Sequence, residues 1–205
     1  AAEAARAQAL EEVLTAAAVA FMERGFAATS IDDVARGMGA TKGRVYHYYR
    51  SKLDLFTDVV RRSLEVIHEA VAQAEGAGGD PRARMERMMR VHVRSILEDQ
   101  PWHRCAMQGV EMFLRESAAP EQRAAMADLI HLRGAHERLF LRVLEQGMET
   151  GAFRRCDAAV TVRTLLPALN GAVYWYRPRE GETEAHLDRI IDEIVAFALG
   201  GLEAR

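Results

Sequence analysis

Five basic residues, Arg36, Lys42, Arg44, Arg50 and Lys52, fall between Val34 and Leu53, a stretch without a single carboxylate. Cations at that density, interleaved with Tyr46, His47, Tyr48 and Tyr49, suit a surface pressed against phosphates and able to offer hydrogen bonds as well as charge. The only two lysines of the chain, Lys42 and Lys52, are both in this stretch. Elsewhere the residues point to no comparable chemistry. There is no Gly-x-x-x-x-Gly-Lys-Ser/Thr, no Gly-x-Ser-x-Gly, no Gly-x-Gly-x-x-Gly after a strand and no His-Glu-x-x-His, so no nucleotide, nucleophile or zinc signature supports an enzyme. The seven histidines are scattered. His131 and His136 are spaced off a common helical face, and only His92 and His103 are candidates to converge; no metal and no cofactor is expected.

The elements that must position the basic residues are two short helices. Ile31, Val34, Ala35 and Met38 recur at i, i+3, i+4, i+7 and form one buried face; Gly39 supplies a left-handed stop and Thr41 caps the next helix. In that second helix Val45, Tyr48 and Tyr49 share one side, which leaves Gly43, Arg44, Tyr46 and His47 on the other. Gly43, near the helix N-terminus, lets a phosphate approach the free N–H groups there. The pattern alone fits a helix-turn-helix on DNA and an ordinary helical hairpin with a solvated basic face about equally well.

Read as TSIDDVARGMGATKGRVYHYYRSKLDLF, the segment resembles the N-terminal signature of the TetR family of transcriptional regulators. A Thr/Ser-rich helix start, a glycine turn, a Lys-Gly pair, a Tyr-rich recognition helix and a Ser-Lys-x-x-Leu-Phe helix start occur in the family's order, and the match runs from about Leu10 to Val60. The resemblance implies that Thr29, Thr41, Tyr48 and Lys52 position phosphates, and that Lys42, Gly43, Arg44, Tyr46 and His47 face the groove. Arg44 occupies a variable position, so its partner base is not implied.

Length and composition agree with a helical regulator. A chain of 205 residues can bury a sizeable core, as one domain or as two sharing helices. Ala, Leu, Arg and Glu dominate, and the net charge of −3 excludes a protein that coats nucleic acid over its whole surface. Cys105 and Cys156 form no metal or disulfide pattern and read as inert thiols. No apolar run is long enough to span a bilayer and the Ala-rich start lacks a secretory core, so a cytoplasmic protein is expected.

In chain order, Leu10, Leu14, Ala17 and Phe21 stripe a first helix that ends at Gly25 and completes a three-helix head. Ser51 caps a helix to about Ala74 that is shared with the body and able to transmit movement. Gly76 to Pro81 is a linker with an Asp80 cap and Pro81 at the first helical position. A Met-rich helix (Met85, Met88, Met89) follows to about Asp99 and reads as adaptable core ahead of a ligand wall. A sixth helix opens at Pro101 and ends near Glu116, and a seventh opens at Pro120 and stops at Gly151. An eighth starts after Asp157 and bends at Pro167, and a ninth starts after Thr183. The expected architecture is all-α with about nine helices: a helix-turn-helix domain over 1–51 and a ligand-binding and dimerisation domain over 52–205.

Two faces of the body are too apolar for solvent: Leu165, Leu169 and Val173, and Leu187, Ile191, Ile194 and Ala198. Paired with two-fold copies they are the expected homodimer interface, with intrachain core as the alternative. The resemblance places an effector pocket in the body, which implicates Met89, His92, Val93, Ile96, Trp102, Cys105, Gln108, Met112, Val143, Asn170, Tyr174 and Arg177. The stretch from Asn170 to Pro178 also resembles the Trp-Tyr-Arg-Pro helix ending of TetR-family regulators that respond to acyl-coenzyme A, for which Arg104, Arg163, Arg177 and Arg179 are candidate phosphate partners. A neutral hydrophobic compound or free fatty acid is the alternative effector. The resemblance as a whole implies a dimeric repressor on a palindromic DNA operator, released by a small molecule.

Overall fold

A computed structural model describes residues 2–114 and 120–203. Among them there are ten helical segments and one isolated antiparallel bridge, Phe153 with Glu203. The helices are α1 (Ala2–Ala28), α2 (Ile31–Gly37), α3 (Lys42–Tyr46), α4 (Lys52–Gly76), α5 (Pro81–Glu98), α6 (Gln100–Leu114), α7 (Pro120–Thr150), α8 (Ala158–Asn170), α9 (Ala172–Trp175) and α10 (Glu184–Gly200). The end expected for the sixth helix near Glu116 lies outside the described residues.

Capping chemistry explains most of the boundaries. Asp80 and Asp157 each accept a hydrogen bond from the backbone N–H three residues on, Ala83 and Val160, at 3.0 Å, and Ser51 does the same for Asp54 at 3.1 Å. Thr41 and Thr183 occupy cap positions without making a side-chain capping bond. Gly25 does not end the first helix outright: it is a kink (φ 76°) beyond which Phe26–Ala28 turn on. The tenth segment comes from the expected eighth helix. Pro167 stays inside α8, where it removes a donor from the ladder. The interruption falls at Gly171 instead, where the bonds tighten to i→i+3: Gly171 N–H to the Ala168 carbonyl and Tyr174 N–H to the Gly171 carbonyl, both 3.2 Å.

The chain divides into two compact units, Ala1–Glu65 with Pro101–His131, and Val66–Gln100 with Leu132–Arg205. The boundary expected at 51/52 thus falls inside the first unit. That unit buries Val13, Ala17 and Phe21 of α1, Val34 and Ala35 of α2, Val45 of α3, and Leu55, Phe56 and Val59 of α4. Phe56 meets Phe21 edge-on at 5.1 Å and Phe26 at 4.9 Å, geometry that adds about 0.5–1.5 kcal/mol per aromatic pair beyond area burial.

In the second unit α5 packs against α8, α9 and α10, and α8 against α10. Its core holds Met85, Met88, Met89, Val93 and Ile96 with Phe140, Val143 and Leu144 of α7. The methionine stripe is core. Gly147 is there because the Phe153 ring lies directly over it: a Cβ at this position would sit 2.0 Å from that ring.

Five residues expected at a dimer interface, Leu165, Leu169, Val173, Ile191 and Ala198, are already buried inside the single chain, where α5, α8, α9 and α10 meet. These faces are apolar, as their periodicity requires, and much of each is covered within the protomer, while Leu165 and Ala198 also border a hollow beside Val160 and Phe197. Leu187 and Ile194 are half-buried. Large apolar side chains exposed on these helices include Val160 (60%), Trp175 (58%) and Phe197 (79%). No helix among the described residues is long and apolar enough to cross a membrane.

Candidate nucleic-acid interface

The corner between α2 and α3 is built from local bonds. Ser30 and Asp33 form a reciprocal capping box: Asp33 N–H donates to Ser30 Oγ at 3.1 Å and Ser30 N–H to Asp33 Oδ2 at 2.9 Å. These bonds to Ser30, aided by Arg24 and Arg36, hold the Asp33 carboxyl down at about 2. At the other end of α2, Gly39 takes φ +62°, and the Ala40 N–H reaches back to the Ala35 carbonyl at 2.9 Å, closing the left-handed turn.

Two anchors orient α3. Val45 is fully buried, and Tyr49 is buried with its hydroxyl donating to Asp58 Oδ2 at 3.1 Å; desolvation and that carboxylate raise the phenol's pKa. With these two inside, Lys42, Gly43, Arg44, Tyr46 and His47 all lie exposed, Tyr46 at 52%, and Tyr48 is half-exposed. All five residues expected to face a groove are therefore open to solvent. A Cβ at Gly43 would meet nothing inside the protein closer than Thr41 Oγ1 at 3.7 Å. No internal packing calls for glycine there, and the missing side chain leaves room on the outside.

Three sequence expectations change at this surface. Thr29 is 2% exposed and its hydroxyl donates to the Gly25 carbonyl at 2.7 Å, so it braces the α1–α2 connection and is not presented to a phosphate. Lys52 docks its ammonium on the Phe26 and Ala27 carbonyls, at 2.7 and 3.2 Å, and over the Phe26 ring at 4.6 Å. Two of its three donors are thereby spent closing the C-terminal end of α1. Nor is the surface free of carboxylates, because Glu12 of α1 pairs with Arg44. Ser30 was legible as the first residue of a Ser-x-x-Asp capping signature; Glu12, 32 positions from Arg44, left no local signal.

The residues expected around an effector fall in both units. Met89, His92, Val93, Ile96, Val143 and Asn170 belong to the second, all buried except the half-buried Asn170. His92 Nε2 lies 2.8 Å from Asn170 Oδ1, and His92 Nδ1 lies 3.1 Å from His136 Nε2. His92 thus meets His136 of α7, not His103, which belongs to the first unit beside Ser63 at 3.4 Å. His136 shares the α7 stripe with Leu139, Phe140 and Val143, a periodicity that would have found it. Burial pushes the His92 imidazole down to about 4 and keeps it neutral, although Asn170 pulls the other way.

Trp102, Cys105, Gln108 and Met112 belong to the first unit. There the Cys105 thiol, pushed up to about 12 by burial, reaches the Ala18 carbonyl at 3.4 Å, and Gln108 Nε2 donates to the Phe21 carbonyl at 3.0 Å. These two polar groups thus already serve α1. Tyr174 is 58% exposed, and Arg177 turns back onto the Tyr176 and Tyr174 carbonyls, at 2.7 and 3.3 Å. Neither presents itself to an internal site. Arg163 pairs with Glu137 at 3.1 Å on the surface. Among the described residues no group of three or more His, Cys, Asp or Glu is arranged to hold a metal ion.

Residues 13–59 match the family described as bacterial regulatory proteins, tetR family, and residues 78–202 match the family described as tetracyclin repressor-like, C-terminal domain. The HTH-type transcriptional repressor KstR2 of Rhodococcus jostii is 27% identical over 192 residues, covering 93% of this chain and 89% of the relative. The crystal structure of the TetR-family regulator PfmR from Thermus thermophilus superposes with a TM-score of 0.77 at 30% identity, over 94% of this chain and 99% of that one. The structure of AibR in complex with isovaleryl coenzyme A and operator DNA shares the fold, with a TM-score of 0.71 at 21% identity over 92% and 97% of the two chains.

Proposed function

Because the chain belongs to the TetR family, and so is a DNA-binding transcriptional regulator and not an enzyme, we propose that it acts in the cytoplasm as a homodimeric repressor of a palindromic operator, released by an acyl-coenzyme A. One observation carries the DNA assignment to particular residues. Anchored by Val45 and Tyr49, α3 turns Lys42, Arg44, Tyr46 and His47 outward around a glycine that the interior does not require. In this reading Arg44 makes the base contact, Lys42, Thr41 and Tyr48 seat phosphates, and Thr29 and Lys52 brace the corner from behind. The division of labour at 51/52 is functional: the first 51 residues meet DNA and the remainder serves dimer and effector.

Two-fold pairing of the protomers makes the operator a palindrome. With the inner faces of α8 and α10 consumed by the protomer, the dimer contact is assigned to their outer faces. Val160 and Phe197 flank an apolar hollow of about 480 Å³ there, lined also by Thr164, Leu165, Ala168 and Ala198, so that Leu165 and Ala198 of the expected interface residues border it as well. Leu187 and Ile194, half-buried on α10, are available to extend it.

The effector assignment rests on the Asn170–Pro178 resemblance and on the fold shared with a regulator crystallised with isovaleryl coenzyme A. The His92–Asn170 pair among Met89, Val93, Ile96 and Val143 suits a neutral oxygen such as a thioester carbonyl. A free carboxylate would find only an imidazole held neutral. The same neutrality supports an uncharged hydrophobic compound as the second reading.

Selection of bound DNA from a random pool, followed by release with an acyl-coenzyme A series and the matching free acids, tests all three parts. Binding of every duplex alike at physiological salt refutes the DNA assignment. Release by free acids as readily as by thioesters refutes the effector alone.

A further inference from the structure

A row of hydrogen bonds crosses the second unit from α7 through α5 to the last residue of α8. His136 Nε2 lies 3.1 Å from His92 Nδ1, and His92 Nε2 lies 2.8 Å from Asn170 Oδ1. The Phe140 ring packs beside both imidazoles, at 5.4 Å from His136 and 5.9 Å from His92. Both histidines are buried.

The chemistry of these groups gives the row one direction. A carboxamide oxygen only accepts, so the proton on His92 sits on Nε2 and points at Asn170. Burial keeps the ring neutral, which leaves Nδ1 a lone pair, and the proton between the two imidazoles therefore belongs to His136 Nε2. Donation runs from His136 to His92 to Asn170. Both nitrogens of His92 are thereby used within the fold.

The other end of the same carboxamide is not used. Asn170 Nδ2 makes no hydrogen bond among the described residues, and Asn170 is only half-buried. A carboxamide free to turn over offers a donor or an acceptor alike; one whose oxygen is held by an imidazole N–H offers only its donors. Met89 and Ile96, one turn either side of His92 on α5, are buried and apolar. In such surroundings a fixed N–H decides which ligands fit, because a ligand without an acceptor leaves it unpaired.

We propose that the Asn170 side-chain amide is the specificity-determining donor of the effector site, with His92 and His136 as positioning residues, and that the effector is recognised through an uncharged acceptor oxygen. A thioester or ketone carbonyl meets that requirement and a plain hydrocarbon does not. This role rests on the effector reading above only in placing the effector beside α5 and α8, and it holds for any uncharged acceptor, thioester or not.

The test is nuclear magnetic resonance of the isotope-labelled full chain, titrated with octanoyl-coenzyme A, with methyl hexyl ketone as an acceptor that lacks the coenzyme, and with octane. In the free protein His92 and His136 are each expected to carry their proton on Nε2; a His92 proton on Nδ1 overturns the proposal. Octanoyl-coenzyme A and the ketone are expected to shift the Asn170 side-chain amide resonances, and octane to leave them in place. Asn170→Asp keeps the shape and the acceptor for His92 but has no donor, and is expected to weaken ketone binding by about tenfold or more. His92→Leu is expected to lower the preference for ketone over octane severalfold, and His92→Gln, whose amide N–H replaces that of Nε2, to restore it. A loss of packing alone would not move that ratio. Ketone binding through Asn170 without thioester binding refutes the acyl-coenzyme A reading and supports the role of the amide. Thioester binding that leaves the Asn170 resonances unmoved, ketone affinity undiminished in Asn170→Asp, or no ketone binding at all would each overturn that role.

Discussion

Arg44 and Glu12 face each other across 32 positions of chain, guanidinium to carboxylate at 2.5 Å, and both are exposed. Any contact of Arg44 with a base must first give up this pair. A surface ion pair is worth about 0–1 kcal/mol. Glu12→Gln is therefore expected to tighten operator binding by up to about fivefold, with a shallower gain at high salt. Arg44→Ala costs about 1–3 kcal/mol and relaxes discrimination at one base pair per half-site. Quantitative mobility shifts on a set of singly substituted operators check both; a Glu12→Gln variant that binds more weakly than wild type would make Glu12 a contact and not a competitor.

The two lysines are expected to separate into different roles. Lys42→Ala lowers the slope of log affinity against log salt by about 0.9, the signature of one lost phosphate contact, with no change in thermal stability. Lys52→Ala lowers thermal stability by about 0.3–1 kcal/mol, because its ammonium closes the carbonyl end of α1, and has the smaller effect on the salt slope. Salt titrations paired with thermal melts of each variant distinguish them, and an undiminished melting temperature for Lys52→Ala would return that residue to the phosphate-contacting set.

For the dimer, Val160→Asp with Phe197→Asp is expected to give folded monomers with weakened operator binding, read by sedimentation. Ile191→Asp is expected to destabilise the protomer by several kcal/mol instead, because it places a charge in the intrachain core. A dimer that survives the outer-face substitutions would move the interface elsewhere.

Acid sensitivity follows from His92. Its pKa falls from the ordinary 6.5 to about 4 on folding, so between those values the unfolded chain binds more protons than the folded one. Its contribution to stability is complete above pH 6.5 and is lost as pH falls toward 4, by up to about 1.4 kcal/mol per unit. His92→Gln is expected to flatten the decline of denaturant midpoint between about pH 7 and pH 5 relative to wild type. Identical slopes in the two proteins would show that His92 does not stay neutral in the fold.

The head was readable because its information is local: the Ile31–Ala35 spacing, the Gly39 turn and the Val45/Tyr49 anchors each act within about ten residues and stand as expected, with Met38 only half-buried. Glu12 and the neighbours of Leu165 and Ile191 were not readable for the converse reason. Helical periodicity reports that a face is apolar but carries no statement of what covers it, and a second helix of the same chain satisfies Ile191 as fully as a second protomer would. Thr29 and Lys52 show a related limit. A hydroxyl or an ammonium beside a recognition helix is equally suited to a phosphate oxygen and to a helix-end carbonyl, and only the tertiary structure tells which one it meets.

The shortage of lysine has a practical side. The chain has twenty-five arginines and two lysines, and the ammonium of Lys52 is occupied by the end of α1, which leaves Lys42 as the exposed side-chain amine. Lysine-directed acylation is thereby expected to favour Lys42, on the face of α3 proposed to meet DNA. One modification there would erase a charge at the recognition helix, and protection of that same amine becomes a one-site reporter of operator occupancy.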